Sequence, residues 1–220
     1  MKAIIFDMDG VLVDSEILYR KGEEHYFSKI GMTYDPLVFR QRFMGVPHET
    51  YFERLNEDHQ SAFGRPLPED FEASLNAYWQ SLMASELQAI DGAADCLGRL
   101  ALPKAVASST ALHFIRQRLA KTRLIDYFGP HLYSADQVAN GKPHPDLFLF
   151  AAEKIGFAPA DCTVVEDSEN GVIAGVRAGM RVIGFTGGGH YEDKAGQALL
   201  DRGAERCVST FDDLRDLLAS

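Results

Sequence analysis

Short apolar segments alternate with helical stretches through most of this sequence. After residue 90, four segments have the composition of buried strands: Lys104–Ser108, His131–Ser134, Cys162–Glu166 and Arg181–Phe185. A fifth, Lys2–Phe6, has no polar residue after its lysine and is typical of a strand covered on both faces. Pro145 is suited to the first turn of a helix that Gly156 would end. This alternation predicts a parallel sheet with helices on both faces.

Between about residues 15 and 84 the strand pattern is absent. Apolar residues there recur at helical spacing, as in the stripe Phe71, Leu75, Tyr78, Trp79 and Leu82. We therefore predict an α/β protein with a Rossmann-like parallel-sheet core, residues 1–14 and 85–220. An all-helical cap domain, residues 15–84, is inserted after the first strand.

The composition excludes several classes of partner. Acidic residues outnumber lysine plus arginine by 32 to 22, and no basic cluster interrupts the excess. Such a charge balance repels nucleic acid and anionic membranes, so neither is an expected partner. The cysteines, at 96, 162 and 207, are too far apart for a zinc or redox pair. With no leader pattern and no membrane-length apolar run, we expect a cytoplasmic protein with reduced thiols. Nothing in the sequence indicates an oligomeric state.

Polar side chains occur where the predicted strands end and, for Lys142, in the loop before the predicted Pro145 helix. The set consists of Asp7, Asp9, Ser108, Ser109, Lys142, Glu166 and Asp167. Each has an ordinary structural explanation on its own: an Asp-Gly turn, a helix N-cap or a solvated loop lysine. In a doubly wound sheet, however, the carboxyl ends of the strands meet at one edge. We therefore expect these side chains to share one crevice.

Such a crevice would suit a divalent cation and a phosphate group. Carboxylates held close together repel each other unless a cation neutralises them, and ligand sets made only of oxygen favour Mg²⁺. Lys142 could offset the charge of phosphate oxygens, and Ser108 could donate a hydrogen bond to them. The backbone amides of the helix after Ser108 would face the same anion.

Four segments in this order resemble the motifs of the haloacid dehalogenase superfamily. They are Asp7–Ser15, Ser108, Gly141–Pro143 and Glu166–Gly171. The resemblance extends from residue 3 to about residue 185. A helical insertion after the first motif is similar to the small cap of the subgroup that contains β-phosphoglucomutase and many sugar-phosphate phosphatases. Residues 85–93 more loosely resemble bacterial phosphatases that act on 6-phosphogluconate.

The resemblance implies a reaction in two halves. Asp7 would attack phosphorus and form an aspartyl phosphate. Asp9 would protonate the leaving alkoxide and then accept a proton from the attacking water. The implied enzyme is a phosphoric monoester hydrolase, and its substrate would be a small phosphorylated metabolite, a sugar or sugar-acid phosphate.

The resemblance also implies how the other polar residues divide between metal and phosphate. Mg²⁺ would be held by a carboxylate oxygen of Asp7, the backbone carbonyl of Asp9 and the carboxylate of Asp167. Glu166 would orient a water on the metal. The phosphate oxygens would be held by Ser108, Ser109 and Lys142.

Two other enzymatic activities are open to proteins with such residues. Dehalogenases of the superfamily lack an acid at the position of Asp9, so dehalogenation is not expected. Mutases carry basic cap residues, whereas the matching positions here hold Tyr19, Met44 and His48. Phosphoryl transfer of the phosphoglucomutase type therefore remains only an alternative. Gly45 and His48, at the turn of the cap, are candidates for substrate contact.

A non-enzymatic phospho-acceptor is the alternative from a different class. Signalling receiver domains also combine aspartates, a hydroxyl and a lysine around magnesium. In receivers, however, the phosphorylated aspartate follows a middle strand and no helical domain is inserted after the first strand. The position of Asp7 and the long insertion favour the enzyme.

Overall fold

The computed structural model describes residues 1–43, 46, 48–189 and 195–219. The chain divides into two compact units. The larger unit contains residues 1–17 and 86–220, and the smaller unit contains residues 18–85. These boundaries fall one to three residues after those expected from the sequence. Within the described ranges, no helix is both long and apolar enough to cross a membrane.

The larger unit contains a six-stranded parallel sheet. Its strands are β1 (Ala3–Phe6), β2 (Lys104–Ser108), β3 (Leu132–Ser134), β4 (Cys162–Glu166), β5 (Arg181–Phe185) and β6 (Arg206–Val208). They lie in the order β3-β2-β1-β4-β5-β6, and every neighbouring pair is parallel. The α/β fold predicted from the sequence is confirmed.

Helices follow the strands as the crossover connections that a parallel sheet requires. Those of the larger unit are α5 (Ala93–Arg99), α6 (Leu112–Lys121), α7 (Asp146–Ile155), α8 (Glu169–Arg177), α9 (Ala195–Asp201) and α10 (Phe211–Ala219). Helix α7 begins after Pro145, and Gly156 ends it in the left-handed conformation at φ 81°. Short 3-10 turns lie at residues 125–127, 135–137 and 159–161.

The central strands are buried on both faces, which explains their continuous apolar sequences. All four residues of β1 and all five of β4 are buried. One face packs against a cluster that includes Leu147 and Phe148 of α7 and Val172 of α8. The edge strand β6 has only three residues, and each of them is exposed or partly exposed. It is not predictable from the sequence, because so short an exposed segment has no distinct apolar pattern.

The smaller unit is helical, as predicted for the insertion. It is built from most of α1 (Ser15–Ile30), then α2 (Pro36–Phe43), α3 (His48–Phe63) and most of α4 (Phe71–Glu86). Its core is aromatic and includes Phe27, Tyr51, Phe52 and Trp79. The Trp79 indole donates a hydrogen bond of 3.0 Å to the carbonyl of Tyr19 and so joins α4 to α1.

Candidate active site

The order of the strands reverses between β1 and β4. β1 lies between β2 and β4 in the sheet. The connection from β1 leads to β2 on one side of it, and the connection from β3 crosses to β4 on the other side. Ligands in open α/β sheets bind beyond the carboxyl ends of the strands at such a switch point. Asp7 directly follows β1, and Asp167 directly follows β4. The first and last acids of the predicted set therefore lie at this point.

A tight turn after β1 fixes the backbone of Asp7 and Asp9. The Asp7 amide donates to the carbonyl of Val165 at 2.9 Å, which extends the ladder with β4 by one residue. The Met8 carbonyl then accepts hydrogen bonds from the next turn, including one of 2.8 Å from the Leu12 amide. Gly10 has φ 79°, a conformation that favours glycine, and it turns the chain directly after Asp9.

Three buried carboxylates and one buried ammonium group meet at this edge. Oxygen atoms of Asp7, Glu166 and Asp167 all lie within 4.8 Å of one another. The Lys142 ammonium donates to an oxygen of Asp7 at 2.5 Å and to one of Glu166 at 2.6 Å. Its side chain is 6% exposed, which excludes the alternative explanation of Lys142 as a solvated loop lysine. The structure thus brings together four residues that are up to 160 positions apart in the sequence.

Glu166 is held by the start of α8 as well as by Lys142. Its second oxygen accepts hydrogen bonds from the Ser168 amide at 2.7 Å and the Ser168 hydroxyl at 2.9 Å. The carboxylate also lies against Gly171, where a Cβ atom would come within 1.7 Å of Oε1. Glu166 is therefore a fixed group whose oxygens are already engaged by protein donors.

Burial and neighbouring charges shift the pKa values in opposite directions. Burial raises the pKa of Asp7; Lys142 counteracts this, and the charges of Glu166 and Asp9 add to it. For Lys142, burial alone would lower the pKa, but Asp7 and Glu166 more than compensate and raise it. A cation beside Asp7 would favour its ionised form.

Asp9 has a different environment from Asp7. One of its oxygens accepts hydrogen bonds from the Ser15 hydroxyl at 2.6 Å and the Arg118 guanidinium at 2.5 Å. The other accepts one from the Thr110 hydroxyl at 2.7 Å. Burial alone would raise the pKa of Asp9, but the charge of Arg118 and these hydrogen bonds together lower it. Two carboxyl groups two residues apart thus have pKa values shifted in opposite directions.

Arg118 is a site residue that was not predicted from the sequence. It lies on the buried face of α6 together with Ile115 and Leu119 and is only 4% exposed. An arginine in phase with apolar residues, at positions i, i+3 and i+4, is the signal that could have found it, because a buried arginine requires an acidic or carbonyl partner. The pattern alone could not have identified that partner as Asp9.

The predicted phosphate ligands at the end of β2 lie beside this set. Ser108 is buried, and its hydroxyl oxygen accepts a hydrogen bond of 3.1 Å from the Thr110 amide. Ser109 is exposed. Ser108 is the last residue of β2 and Ser109 follows it, and β2 pairs directly with β1, the strand that Asp7 follows. The contact of both serines with phosphate remains a prediction.

The two predicted substrate contacts of the smaller unit have different outcomes. Gly45 lies outside the described residues. His48 is exposed at the start of α3, with Nε2 3.3 Å from the side-chain oxygen of Asn76 and Nδ1 3.8 Å from the Glu72 carboxylate. These contacts lie within the smaller unit, and a substrate contact by His48 remains a prediction.

The acidic set fits a divalent cation. Asp7, Glu166 and Asp167 supply three carboxylates against the single ammonium of Lys142, an excess of negative charge that one such ion would balance. All the candidate ligands are oxygen atoms, the donors that Mg²⁺ prefers. Lys142 and Ser168 engage both oxygens of Glu166, and Lys142 also engages one oxygen of Asp7, so the division of the metal ligands among these carboxylates remains a prediction.

A comparison with known families matches residues 1–179 to the haloacid dehalogenase-like hydrolases. The chain belongs to the haloacid dehalogenase-like hydrolase family. The matched range extends from β1 through α8 and includes Asp7, Lys142, Glu166 and Asp167. The family resemblance inferred from the motifs is confirmed, and this protein is an enzyme.

Two relatives of this hydrolase are named for different activities, one a phosphatase and the other a mutase. A 6-phosphogluconate phosphatase of Escherichia coli strain K12 is 30% identical over 190 residues, which cover 86% of this chain and 85% of the phosphatase. A β-phosphoglucomutase of Bacillus subtilis strain 168 is 28% identical over 206 residues, which cover 84% of this chain and 83% of the mutase.

A solved structure extends the comparison to both units of this hydrolase. The crystal structure of a family hydrolase from Deinococcus radiodurans R1, with bound phosphate and sodium, has a TM-score of 0.85 and 33% sequence identity. The match covers 100% of this chain and 95% of the Deinococcus chain. The similarity therefore includes the helical insertion as well as the sheet.

Proposed function

We propose that this hydrolase is a Mg²⁺-dependent phosphatase of small phosphorylated sugars or sugar acids. The observation that carries the proposal is the contact between Lys142 and Asp7, in a cluster with Glu166 and Asp167 at the carboxyl edge of the sheet. A carboxylate nucleophile, a cation to hold phosphate oxygens and an acidic metal site are the parts that phosphoryl transfer requires. The similarity to a 6-phosphogluconate phosphatase supports the substrate class.

In the first half of the reaction, a carboxylate oxygen of Asp7 forms a bond to phosphorus. The bond between phosphorus and the alkoxide oxygen breaks, and the alkoxide takes a proton from Asp9. Lys142, together with Ser108 and Ser109, would bind the remaining phosphate oxygens, over which the charge of the transition state is spread. Asp7, Asp167 and the backbone carbonyl of Asp9 would hold Mg²⁺, which adds positive charge beside the transferred group.

In the second half, water attacks the aspartyl phosphate. The water oxygen bonds to phosphorus, the bond to Asp7 breaks, and Asp9 accepts a proton from the water. The lowered pKa of Asp9 keeps its carboxyl ionised, the form that this step needs. The first half needs the protonated form, so contacts that stabilise the ionised carboxyl oppose that step.

The proposed phosphatase activity is tested on a panel of sugar and sugar-acid phosphates with Mg²⁺. We expect steady phosphate release that a chelator abolishes and that added Mg²⁺ restores. Substrate labelled in its phosphate should leave acid-stable label on the wild-type protein after a rapid quench, and none on Asp7→Asn. Turnover of Asp7→Asn at a near wild-type rate would contradict the nucleophile assignment.

The same panel separates the proposal from its two alternatives. A mutase would convert β-glucose 1-phosphate into an isomer without net phosphate release. A phospho-acceptor of the signalling class would be labelled once and would not turn over p-nitrophenyl phosphate. Either result would overturn the proposed activity.

A further inference from the structure

We propose that Arg118 is a positioning residue for Asp9, and this inference rests on the proposed function. The guanidinium group of Arg118 lies 2.5 Å from Oδ1 of Asp9, and only 5% and 16% of the two side chains are exposed. An arginine on a solvated helix face has no such constraint, because water competes for its hydrogen bonds. Here the pair is largely removed from water, so its geometry is fixed.

The donors around Asp9 come from three separate segments. Ser15 begins α1, Thr110 lies between β2 and α6, and Arg118 lies inside α6. Ser15 and Arg118 both donate to Oδ1, while Thr110 donates to Oδ2. Asp9 lies in the tight turn after β1, which fixes its backbone, and these donors determine where its two carboxylate oxygens lie.

Arg118 is the donor with the greatest effect on the orientation of Asp9. It carries the charge opposite to that of the carboxylate, and charge-assisted hydrogen bonds are about twice as strong as neutral ones. It is also rigidly placed, because Ile115 and Leu119 on the same face of α6 are fully buried. Loss of the guanidinium would leave two hydroxyl groups, which can rotate with the carboxylate rather than fix it.

The orientation of Asp9 matters because proton transfer requires close contact. In the proposed reaction, one Asp9 oxygen must come within hydrogen-bond distance of the leaving oxygen and later of the attacking water. A displacement of about 1 Å in a reacting group can cost roughly a hundredfold in rate. Arg118 does not itself touch the reacting atoms in this scheme, and its effect passes through Asp9.

The test compares Arg118→Met with Arg116→Met, a control on the exposed face of the same helix. We expect Arg118→Met to lower kcat about a hundredfold and to change KM less than about threefold. The control should change neither value more than about twofold. A kcat for Arg118→Met that matches the control would overturn the inference.

A double-mutant cycle separates positioning from general damage to the fold. If Arg118 acts through Asp9, adding Arg118→Met to Asp9→Asn should lower kcat less than about twofold further. A loss from Arg118→Met that is equal in the wild type and in the Asp9→Asn variant would overturn the inference. If Arg118→Met does not fold, Arg118→Lys keeps a buried cation, and the same comparison applies to it.

A crystal structure of the variant provides a readout that does not depend on turnover. In Arg118→Met we expect the Asp9 carboxylate to rotate away from its wild-type position, while Arg116→Met keeps that position. An unchanged Asp9 side chain in Arg118→Met would overturn the inference even if the wild type hydrolysed no phosphate ester. Conversely, an inactive wild type with a displaced Asp9 in the variant would refute the proposed function alone.

Discussion

The substitution Gly171→Ala tests whether the acidic site depends on the packing of Glu166 against α8. A Cβ atom at residue 171 would lie 1.7 Å from Oε1, 1.9 Å from Cδ and 2.4 Å from Oε2 of Glu166. All three distances are far below van der Waals contact, and the rest of α8 fixes the backbone at residue 171. The Glu166 carboxylate must therefore leave its position.

The cost follows from the contacts that Glu166 would lose. They are the hydrogen bonds from Lys142 at 2.6 Å and from the amide and hydroxyl of Ser168 at 2.7 and 2.9 Å. Breaking a buried ion pair from one side costs about 3–5 kcal/mol. Replacing glycine by alanine inside a helix returns about 0.5–1 kcal/mol. We expect Gly171→Ala to lower the free energy of unfolding by about 2–4 kcal/mol.

The matched control is Gly98→Ala in α5. Among the described residues, a Cβ atom there meets only Tyr127, at ordinary contact distances of 3.6 Å from a ring carbon and 3.8 Å from the hydroxyl oxygen. Gly98→Ala should therefore be neutral or stabilise the protein by up to about 1 kcal/mol. Urea unfolding of the two variants and the wild type measures the difference. Equal midpoints for Gly171→Ala and Gly98→Ala would refute the reasoning.

The remaining predictions concern the nucleophile, the metal, the smaller unit and a buried thiol. Asp7→Asn should retain less than about a thousandth of the wild-type kcat, measured as phosphate release, with an unchanged circular dichroism spectrum. Mg²⁺ at about one hundred times its Kd should stabilise the wild type by about 2.7 kcal/mol in thermal unfolding, and Asp167→Asn should lose this gain. Gly22→Ala should cost about 1–3 kcal/mol in urea unfolding, because its Cβ would lie 2.4 Å from the Trp79 indole; an unchanged midpoint would contradict this. Burial raises the pKa of Cys96 to about 11, so the folded thiol keeps its proton where the unfolded one loses it. The free energy of unfolding should therefore fall by up to about 3 kcal/mol as the pH rises from about 9 to about 11. In Cys96→Ala, the free energy of unfolding should depend less on pH over this range.

Much of the fold is predictable because burial on both faces leaves a clear pattern. The predicted bounds of β2, β4 and β5 agree with the structure, and that of β3 differs by one residue. β6 lacks such a pattern, because a short edge strand with exposed residues resembles a loop. A strand that is covered by helices can thus be predicted from its own sequence, whereas the formation of an edge strand depends on pairing with its neighbour.

The candidate site likewise has some features that the sequence predicts and others that it does not. Asp7, Lys142 and Asp167 could be placed together because the ends of parallel strands meet at one edge of the sheet. The contact between Arg118 and Asp9 could not be predicted, since it depends on how α6 is rotated against the sheet. The close approach of Gly171 to Glu166 likewise depends on the packing of a helix start, which a sequence pattern does not determine.

The central position of β1 has a consequence for synthesis on the ribosome. Ala3 of β1 pairs with Cys162 of β4, and Ile4 pairs with Lys104 of β2. At typical elongation rates of about 5–20 residues per second, the first strand emerges roughly 10 to 30 seconds before β4 exists. Throughout that interval β1 lacks its neighbour β4, so its apolar side chains cannot be buried in a complete sheet. A nascent chain stalled before residue 162 should consequently remain bound to chaperones that recognise exposed apolar segments, and release should begin only after β4 has left the exit tunnel.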